Sequence, residues 1–285
     1  MKTYLDCIPC FVRQALEASK MATGDEALQE KALKAVLSEL EKTSIKNKIP
    51  PQIARKVHHI VKKVTKNNDP YVKVKDEYNR KALKMYPSLK RTVAESKDRL
   101  LTATKLAIAG NIIDFGPSSK FDLDKTIEDV SDQDFAINHF NRFRKALKSS
   151  KKIIYLGDNA GEIVFDRILL EELKGKDITF VVKGGPIIND ATAEDAKFAG
   201  IDKIARILTV SNGEPGTGPD RNSKRFINFL KGADIVISKG QGNYEALNEV
   251  DANIFFLLKA KCPAIARDIG VKIGGIVVKR CQTVN

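Results

Sequence analysis

The stretch Ile153-Ile154-Tyr155-Leu156-Gly157-Asp158-Asn159-Ala160-Gly161-Glu162 decides how this chain is read. Its first four residues offer no polar face, which predicts a strand buried on both sides. Gly157 and Gly161 then bracket a polar turn, and a helix is expected to begin near Glu162. Runs of the same kind recur at Ile178 to Val182, Ile204 to Val210, Asp234 to Ile237, Ile254 to Leu258 and Ile273 to Val278, with helix-length connections between them. Strands apolar on both faces and joined in this way predict an α/β fold. The expected core is Rossmann-like, with a mainly parallel sheet inside a three-layer αβα arrangement over 150–285.

Upstream of residue 150 the period changes. Leu33, Val36, Leu37 and Leu40 repeat at helical spacing, as do Ile53, Val57, Ile60, Val61 and Val64. Breaks are expected at Pro50-Pro51, at Asn68-Asp69-Pro70 and at Pro87, because proline lacks the amide a helix needs. Residues 1–149 therefore read as a mainly helical N-terminal domain or cap. No fixed repeat and no low-complexity tract interrupts either part.

With 285 residues and 42% hydrophobic side chains, the chain can furnish a sizeable core, which excludes a predominantly disordered protein. No run reaches the roughly 18 uncharged apolar residues a membrane-spanning helix needs, and Met1 opens onto Lys, Asp and Cys. A cytoplasmic location without a membrane partner is the expectation. The net charge of +13 concentrates in the first 100 residues, where 22 basic side chains face 12 acidic ones. Lysines such as Lys56, Lys62, Lys63 and Lys66 are spread singly rather than clustered with aromatics. They read as a solvated helical face, not a nucleic-acid surface.

In open α/β sheets, ligands bind outside the carboxyl ends of the strands. The residues just after each predicted strand are Gly157 to Glu162, Lys183-Gly184-Gly185 through Asn189-Asp190, Ser211 to Glu214, Ser238-Lys239-Gly240-Gln241-Gly242-Asn243 and Lys259-Ala260-Lys261-Cys262. Carboxylates, amides, glycines and lysines follow nearly every apolar run. Asp158 and Asn159 supply adjacent oxygen donors, and Asp190 brings a second carboxylate from the next strand end. That set suits a hard cation such as Mg²⁺ or Mn²⁺ which shares substrate phosphate; a turn with a helix cap would use the same residues. A helix starting at Glu162 points unpaired amides toward an anion. Lys239, Lys259 and Lys261 leave apolar runs directly, as phosphate-holding charges or as lysines reaching solvent.

Other features are weaker. Asn111 and Asp114, three apart, share a helical face as candidate substrate contacts, and the Gly- and Pro-rich stretch from Ser211 to Asp220 reads as a surface loop. Four cysteines are too few for a disulfide scaffold, and His58, His59 and His139 cannot easily form a three-His zinc site. Cys7-Ile8-Pro9-Cys10 has the spacing of a redox pair, although only six residues precede it. A structural or redox-sensitive pair and half of a zinc site completed by Cys262 and Cys281 both stay open. The phosphate-binding P-loop, the dinucleotide fingerprint and the Gly-x-Ser-x-Gly elbow are absent.

Taken together, Gly157 to Glu162, Asn189-Asp190, Ser238 to Glu245 and Leu258 to Cys262, preceded by Gly110 to Asp114 and by Cys7-x-x-Cys10, resemble the damage-control phosphatase family, also called the domain of unknown function 89 family. The likeness is to its prokaryotic branch with an N-terminal cysteine pair, and it runs from Asp6 to about Cys262. It implies a metal-dependent phosphatase acting on phosphorylated metabolites, sugar phosphates or damaged cofactor intermediates, with Mn²⁺, Co²⁺, Ni²⁺ or Mg²⁺ as metal. By this resemblance Asp158, Asn159 and Asp190 hold the metal, Asp158, Asp190 and Lys261 are catalytic, and Lys261 meets the phosphate. The Gly240 to Asn243 backbone, Gly242 and Asn243 included, is expected to complete the substrate contacts alongside Asn111, Asp114, Glu162, Lys239 and Lys259. Attack by a metal-activated water and attack by Asp158 are both compatible with it. Where the eukaryotic branch has Arg-Thr-x-Lys, this chain has Leu258-Lys259-Ala260-Lys261, so no arginine is assigned. Carboxyl methyl transfer from S-adenosylmethionine, or ligand binding without catalysis, is the alternative.

Overall fold

Alternation along each strand decides which helices cover which side of the sheet. A computed structural model describes residues 1–110, 133–212 and 223–281. Five helices come first: α1 (Cys7–Ala22), α2 (Glu26–Lys42), α3 (Pro50–Thr65), α4 (Val72–Glu95) and α5 (Arg99–Ala109). They are followed by β1 (Phe135–Asn138), α6 (Phe140–Ser149), β2 (Lys152–Leu156), α7 (Glu162–Glu171), β3 (Asp177–Lys183), α8 (Ala193–Phe198) and β4 (Arg206–Val210). The chain continues through α9 (Lys224–Lys231), β5 (Ile235–Lys239), α10 (Gly240–Leu247), β6 (Ile254–Lys259), α11 (Pro263–Ile269) and β7 (Ile276–Arg280).

Local chemistry explains several boundaries. Asp25 caps α2 by accepting from the amides of Ala27 and Leu28 at 2.9 and 3.3 Å. Pro50 and Pro51 occupy the first turn of α3, where no amide partner is needed. The break expected at Pro87 does not occur, and α4 runs through it. Met85, Leu89 and Val93 flank that proline and are buried, so packing of this face outweighs the roughly 3 kcal/mol a mid-helix proline takes.

Among the described residues seven strands form one sheet in the order β1-β7-β6-β5-β2-β3-β4. All neighbouring pairs are parallel except β6 with β7. Ile153, Tyr155, Phe180 and Ile237 point to one face, in an apolar cluster that includes side chains of α4, α5, α6 and α7. Ile154, Leu156, Val181 and Val236 point to the other, in a cluster with α1, α2, α3, α10 and α11. The three-layer αβα core is therefore as expected. One strand had no sequence counterpart: β1 lies in the segment read as helical, yet it pairs with β7, so the sheet crosses the boundary drawn at residue 150. Its burial alternates over only four residues, which left no usable period. No helix of the described residues is long and apolar enough to cross a membrane.

Candidate active site

Chain order reverses between β2 and β5: β3 and β4 continue to one side of β2, whereas β5 and β6 lie on the other. The crevice at such a switch point receives the loops that follow both central strands. After β2, the amide of Ala160 donates to the carbonyl of Asn189 at 2.9 Å, and the amide of Ala191 donates to the carbonyl of Asp158 at 2.8 Å. Asn159 and Asp190 thus pair as a short antiparallel bridge. These bonds lock the tips beyond β2 and β3 together, so Asp158, Asn159 and Asp190 line one cavity of about 460 Å³.

The glycines have distinct tasks. Gly161 adopts φ 78° and donates its amide to Asn79 Oδ1 at 2.7 Å, which fixes the entry into α7 from the side of α4. Gly240 adopts φ 75°, and a Cβ there would overlap the Asp158 carboxylate. The start of α10 therefore lies directly against that group. Gly242 has open space around it and lines the cavity with Asn243. Asn243 is buried and donates its amide to the carbonyls of Gly157 at 3.1 Å and Lys239 at 2.8 Å, tying the tips of β2 and β5.

Electrostatics distinguish this cavity from an ordinary polar crevice. Burial pushes the Asp158 carboxyl well above the usual carboxylate range, and Glu162 and Asp190 push it further, against Lys261 and Lys183. Burial also raises Asp190; Lys183 opposes this, Glu162 adds to it and Arg55 opposes it. Lys183 Nζ stands 3.6 Å from Asp190 Oδ2. Asn159 Nδ2 donates to Asp158 Oδ2 at 3.0 Å and to Glu162 Oε2 at 3.2 Å, and none of the hydrogen bonds among the described residues ends on its amide oxygen. Lys261, exposed at the tip beyond β6, and Arg55, buried on α3, line the same cavity.

Not every predicted residue reaches the cavity. Lys239 is wholly buried, and its ammonium donates to Glu162 Oε1 at 2.7 Å, Asp166 Oδ1 at 2.6 Å and the Ala107 carbonyl at 2.7 Å. All three of its N–H groups are thereby taken, and no phosphate can use them. Glu162, 1% exposed, lies beneath Asn159 instead of facing a ligand. Lys259 is half-buried and stands outside the cavity lining, where burial and the charge of Lys261 lower its pKa. Asn111 and Asp114, and the loop from residue 213 onward, lie outside the described residues.

Two cations were missed. Lys183 leaves an apolar run as Lys239 does, so the signal used for the other lysines could have found it. Arg55 gave no such signal, since it reads as one more basic residue on a helix and its burial follows from the packing of α3.

Among the described residues no three His, Cys, Asp or Glu side chains gather as a complete metal-ligand set. The donors present are two carboxylates and one amide oxygen. Their chemistry still fits a hard divalent cation that keeps several waters and shares substrate phosphate. Burial raises both Asp158 and Asp190, and the charge of Asp190 raises Asp158 further, which points the same way because a dication offsets that repulsion.

A model of the damage-control phosphatase ARMT1-like domain matches residues 3–277. A damage-control phosphatase of Pyrococcus horikoshii is 35% identical over 98% of each chain. One of Archaeoglobus fulgidus is 36% identical over 96% of this chain and 97% of its own. A crystal structure of a domain of unknown function 89 family protein from Pyrococcus horikoshii superposes with a TM-score of 0.90 at 34% identity, covering 99% of this chain and 100% of the other.

Proposed function

The chain belongs to the damage-control phosphatase ARMT1-like domain family, and from that premise we propose that it hydrolyses phosphate monoesters of small metabolites with a divalent cation at Asp158, Asn159 and Asp190. The observation that carries this reading is the hydrogen-bonded pairing of the tips after β2 and β3, which brings two carboxylates into a cavity walled by Lys183, Lys261 and Arg55. The names of the two archaeal relatives support the phosphatase assignment. A cavity of about 460 Å³ admits a metabolite-sized ester.

In this reading Mn²⁺, Co²⁺, Ni²⁺ or Mg²⁺ supplies Lewis-acid polarisation of a phosphoryl oxygen. Asp158 and Asp190 hold the cation, and Asn159 is oriented for it by the bonds its Nδ2 makes to Asp158 and Glu162. Lys261 and Arg55 bear the negative charge of the phosphoryl group as the ester oxygen departs, the place where preformed charge lowers a barrier most. Gly242 gives the phosphate room to approach the α10 backbone.

Turnover of p-nitrophenyl phosphate, followed with EDTA and after adding back Mn²⁺ or Co²⁺, tests the proposal. Activity lost with EDTA, restored by metal and absent in Asp158→Ala supports it. Metal-indifferent turnover, or a fully active Asp158→Ala, contradicts it.

A further inference from the structure

The wall of the cavity contributed by α1 and α11 carries groups that phosphate hydrolysis does not use. Cys7, Cys10 and Cys262 line it together with Glu245 of α10. The fourth cysteine, Cys281, is buried elsewhere and donates to the carbonyls of Asn248 at 3.2 Å and Val250 at 3.3 Å. A zinc site completed by Cys281 is therefore not formed, and among the described residues no three His, Cys, Asp or Glu side chains gather around these thiols as a metal-ligand set.

Both members of the Cys7-x-x-Cys10 pair lie in the first turn of α1. Helical geometry places Cα atoms three residues apart at about 5 Å, inside the range of roughly 4.4–6.8 Å that a disulfide spans. Cys10 is half-buried, and Gln14 Nε2 donates to its Sγ at 3.3 Å, with Arg13 Nη2 at 4.0 Å. An amide donor and a guanidinium thus reach that sulfur, which lies in the first turn of a 16-residue helix. Glu245 sits among the thiols, its charge acts on Cys7 and Cys262, and none of the described hydrogen bonds ends on its carboxyl.

We propose that Cys10 and Cys7 form a thiol–disulfide exchange site opening on this cavity, that its reactant is a low-molecular-weight disulfide, and that Glu245 takes the proton from Cys7. The Cys10 thiolate attacks one sulfur of R–S–S–R and expels one R–S⁻. Cys7 then gives its proton to Glu245 and attacks the Cys10 sulfur of the mixed disulfide, expelling the second R–S⁻. Glu245 then hands that proton to a departing thiolate, and the other takes from solvent the proton that Cys10 released on ionising, so the protein loses two electrons and two protons and the reactant is reduced to two thiols. The order of attack follows from access: Cys7 is buried, whereas Cys10 is only half-buried and carries the Gln14 and Arg13 contacts, and burial pushes the Cys7 and Cys262 thiols up. Burial likewise raises the Glu245 carboxyl to about 8, which suits it to exchange a proton with a thiol.

This inference is independent of the phosphatase reading, and its test reads mass, not turnover. The reduced full-length chain is incubated with oxidised glutathione, quenched by acid and mapped by peptide mass. The expected product has lost two hydrogens and carries a Cys7–Cys10 link. Cys7→Ser stops at a glutathione adduct on Cys10, Cys10→Ser gives neither product, Cys262→Ser reacts as the parent does, and Glu245→Gln slows closure of the link about tenfold. Timed iodoacetamide labelling of the unmutated chain, with Cys10 alkylated first, checks the order of reactivity without any variant. A Cys10–Cys262 link, an unreactive Cys10, or Glu245→Gln closing at the parental rate overturns the proposal.

Discussion

Lys239 Nζ stands 2.7 Å from Glu162 Oε1, with both side chains sealed from solvent. Asp166 completes the cluster at 2.6 Å from the same ammonium and accepts from the Tyr155 hydroxyl at 2.7 Å. Burial raises the Asp166 carboxyl to about 6, against the pull of Lys239. Glu162 in turn accepts from Asn159, so the cluster supports the tip that carries the proposed metal ligands from below. Lys239→Met strands two buried carboxylates, and removing one partner of a buried pair lowers stability by about 3–5 kcal/mol. Urea unfolding should show that loss, and adding Glu162→Gln with Asp166→Asn should recover part of it. An unchanged midpoint in the single variant would mean the ammonium is dispensable.

Asp190→Asn retains the shape of the tip after β3 but removes one of two anionic donors. Its charge is also the partner of Lys183. Turnover of p-nitrophenyl phosphate at fixed Mn²⁺ should fall by at least about a hundredfold. The Mn²⁺ concentration for half-maximal activity should rise in parallel. A drop in turnover with unaltered metal demand would argue that Asp190 acts on the substrate and not through the cation.

Arg55 reaches the cavity from a helix that the sequence presents as basic and solvated. A charge-assisted bond from an arginine to phosphate contributes about 1.5–3 kcal/mol. Arg55→Met is therefore expected to raise KM for p-nitrophenyl phosphate by roughly tenfold or more, with the apparent affinity for inorganic phosphate falling alike in calorimetry. Arg55→Lys should recover less than half of that loss in free energy, because an ammonium lacks the planar fork. Equal KM values across the three proteins would remove Arg55 from the phosphate site.

The strands β2, β3, β5 and β6 were legible because each is largely apolar on both faces, and that pattern admits few alternatives once glycines and prolines mark its ends; β4, at the sheet edge, is mostly exposed. That Asp158, Asn159 and Asp190 share one crevice was legible for a positional reason: they follow the neighbouring strands β2 and β3, beside the switch point between β2 and β5. Lys239 shows where this logic stops. A lysine leaving an apolar run needs an anion, but sequence does not say whether that anion is a ligand or a buried carboxylate of the protein. Glu162 and Asp166 lie 77 and 73 residues away in sequence and supplied the internal answer. The antiparallel entry of β7 beside β6 was equally hidden, since its run is as apolar as a parallel strand's.

Gly240 tests how tightly the first turn of α10 must approach the carboxylate. Gly240→Ala places a methyl group on Asp158 and also strains a backbone at φ 75°. The expected outcome is a stability loss of about 1–3 kcal/mol together with a larger proportional loss of turnover. Gly242→Ala is the control, since its surroundings are open. Matching losses in the two variants would show that the approach at Gly240 is incidental.

Glu245 makes stability depend on pH in a direction that can be worked out beforehand. Burial raises its carboxyl to about 8, opposed by the terminal ammonium of Met1 and aided by Asp268. An unfolded glutamate releases its proton near about 4.3. Between these values the native chain holds a proton that the unfolded chain has already lost, so stability falls as pH rises through the window and is flat on either side. Glu245→Gln cannot titrate, and its stability should not share this slope. Urea midpoints of the two proteins are expected to agree most closely near pH 5 and to diverge by pH 8.5, with the unmutated chain the weaker. Parallel profiles from pH 5 to 8.5 would show that Glu245 gives up its proton in the ordinary carboxylate range and has lost the poise required for exchange with Cys7.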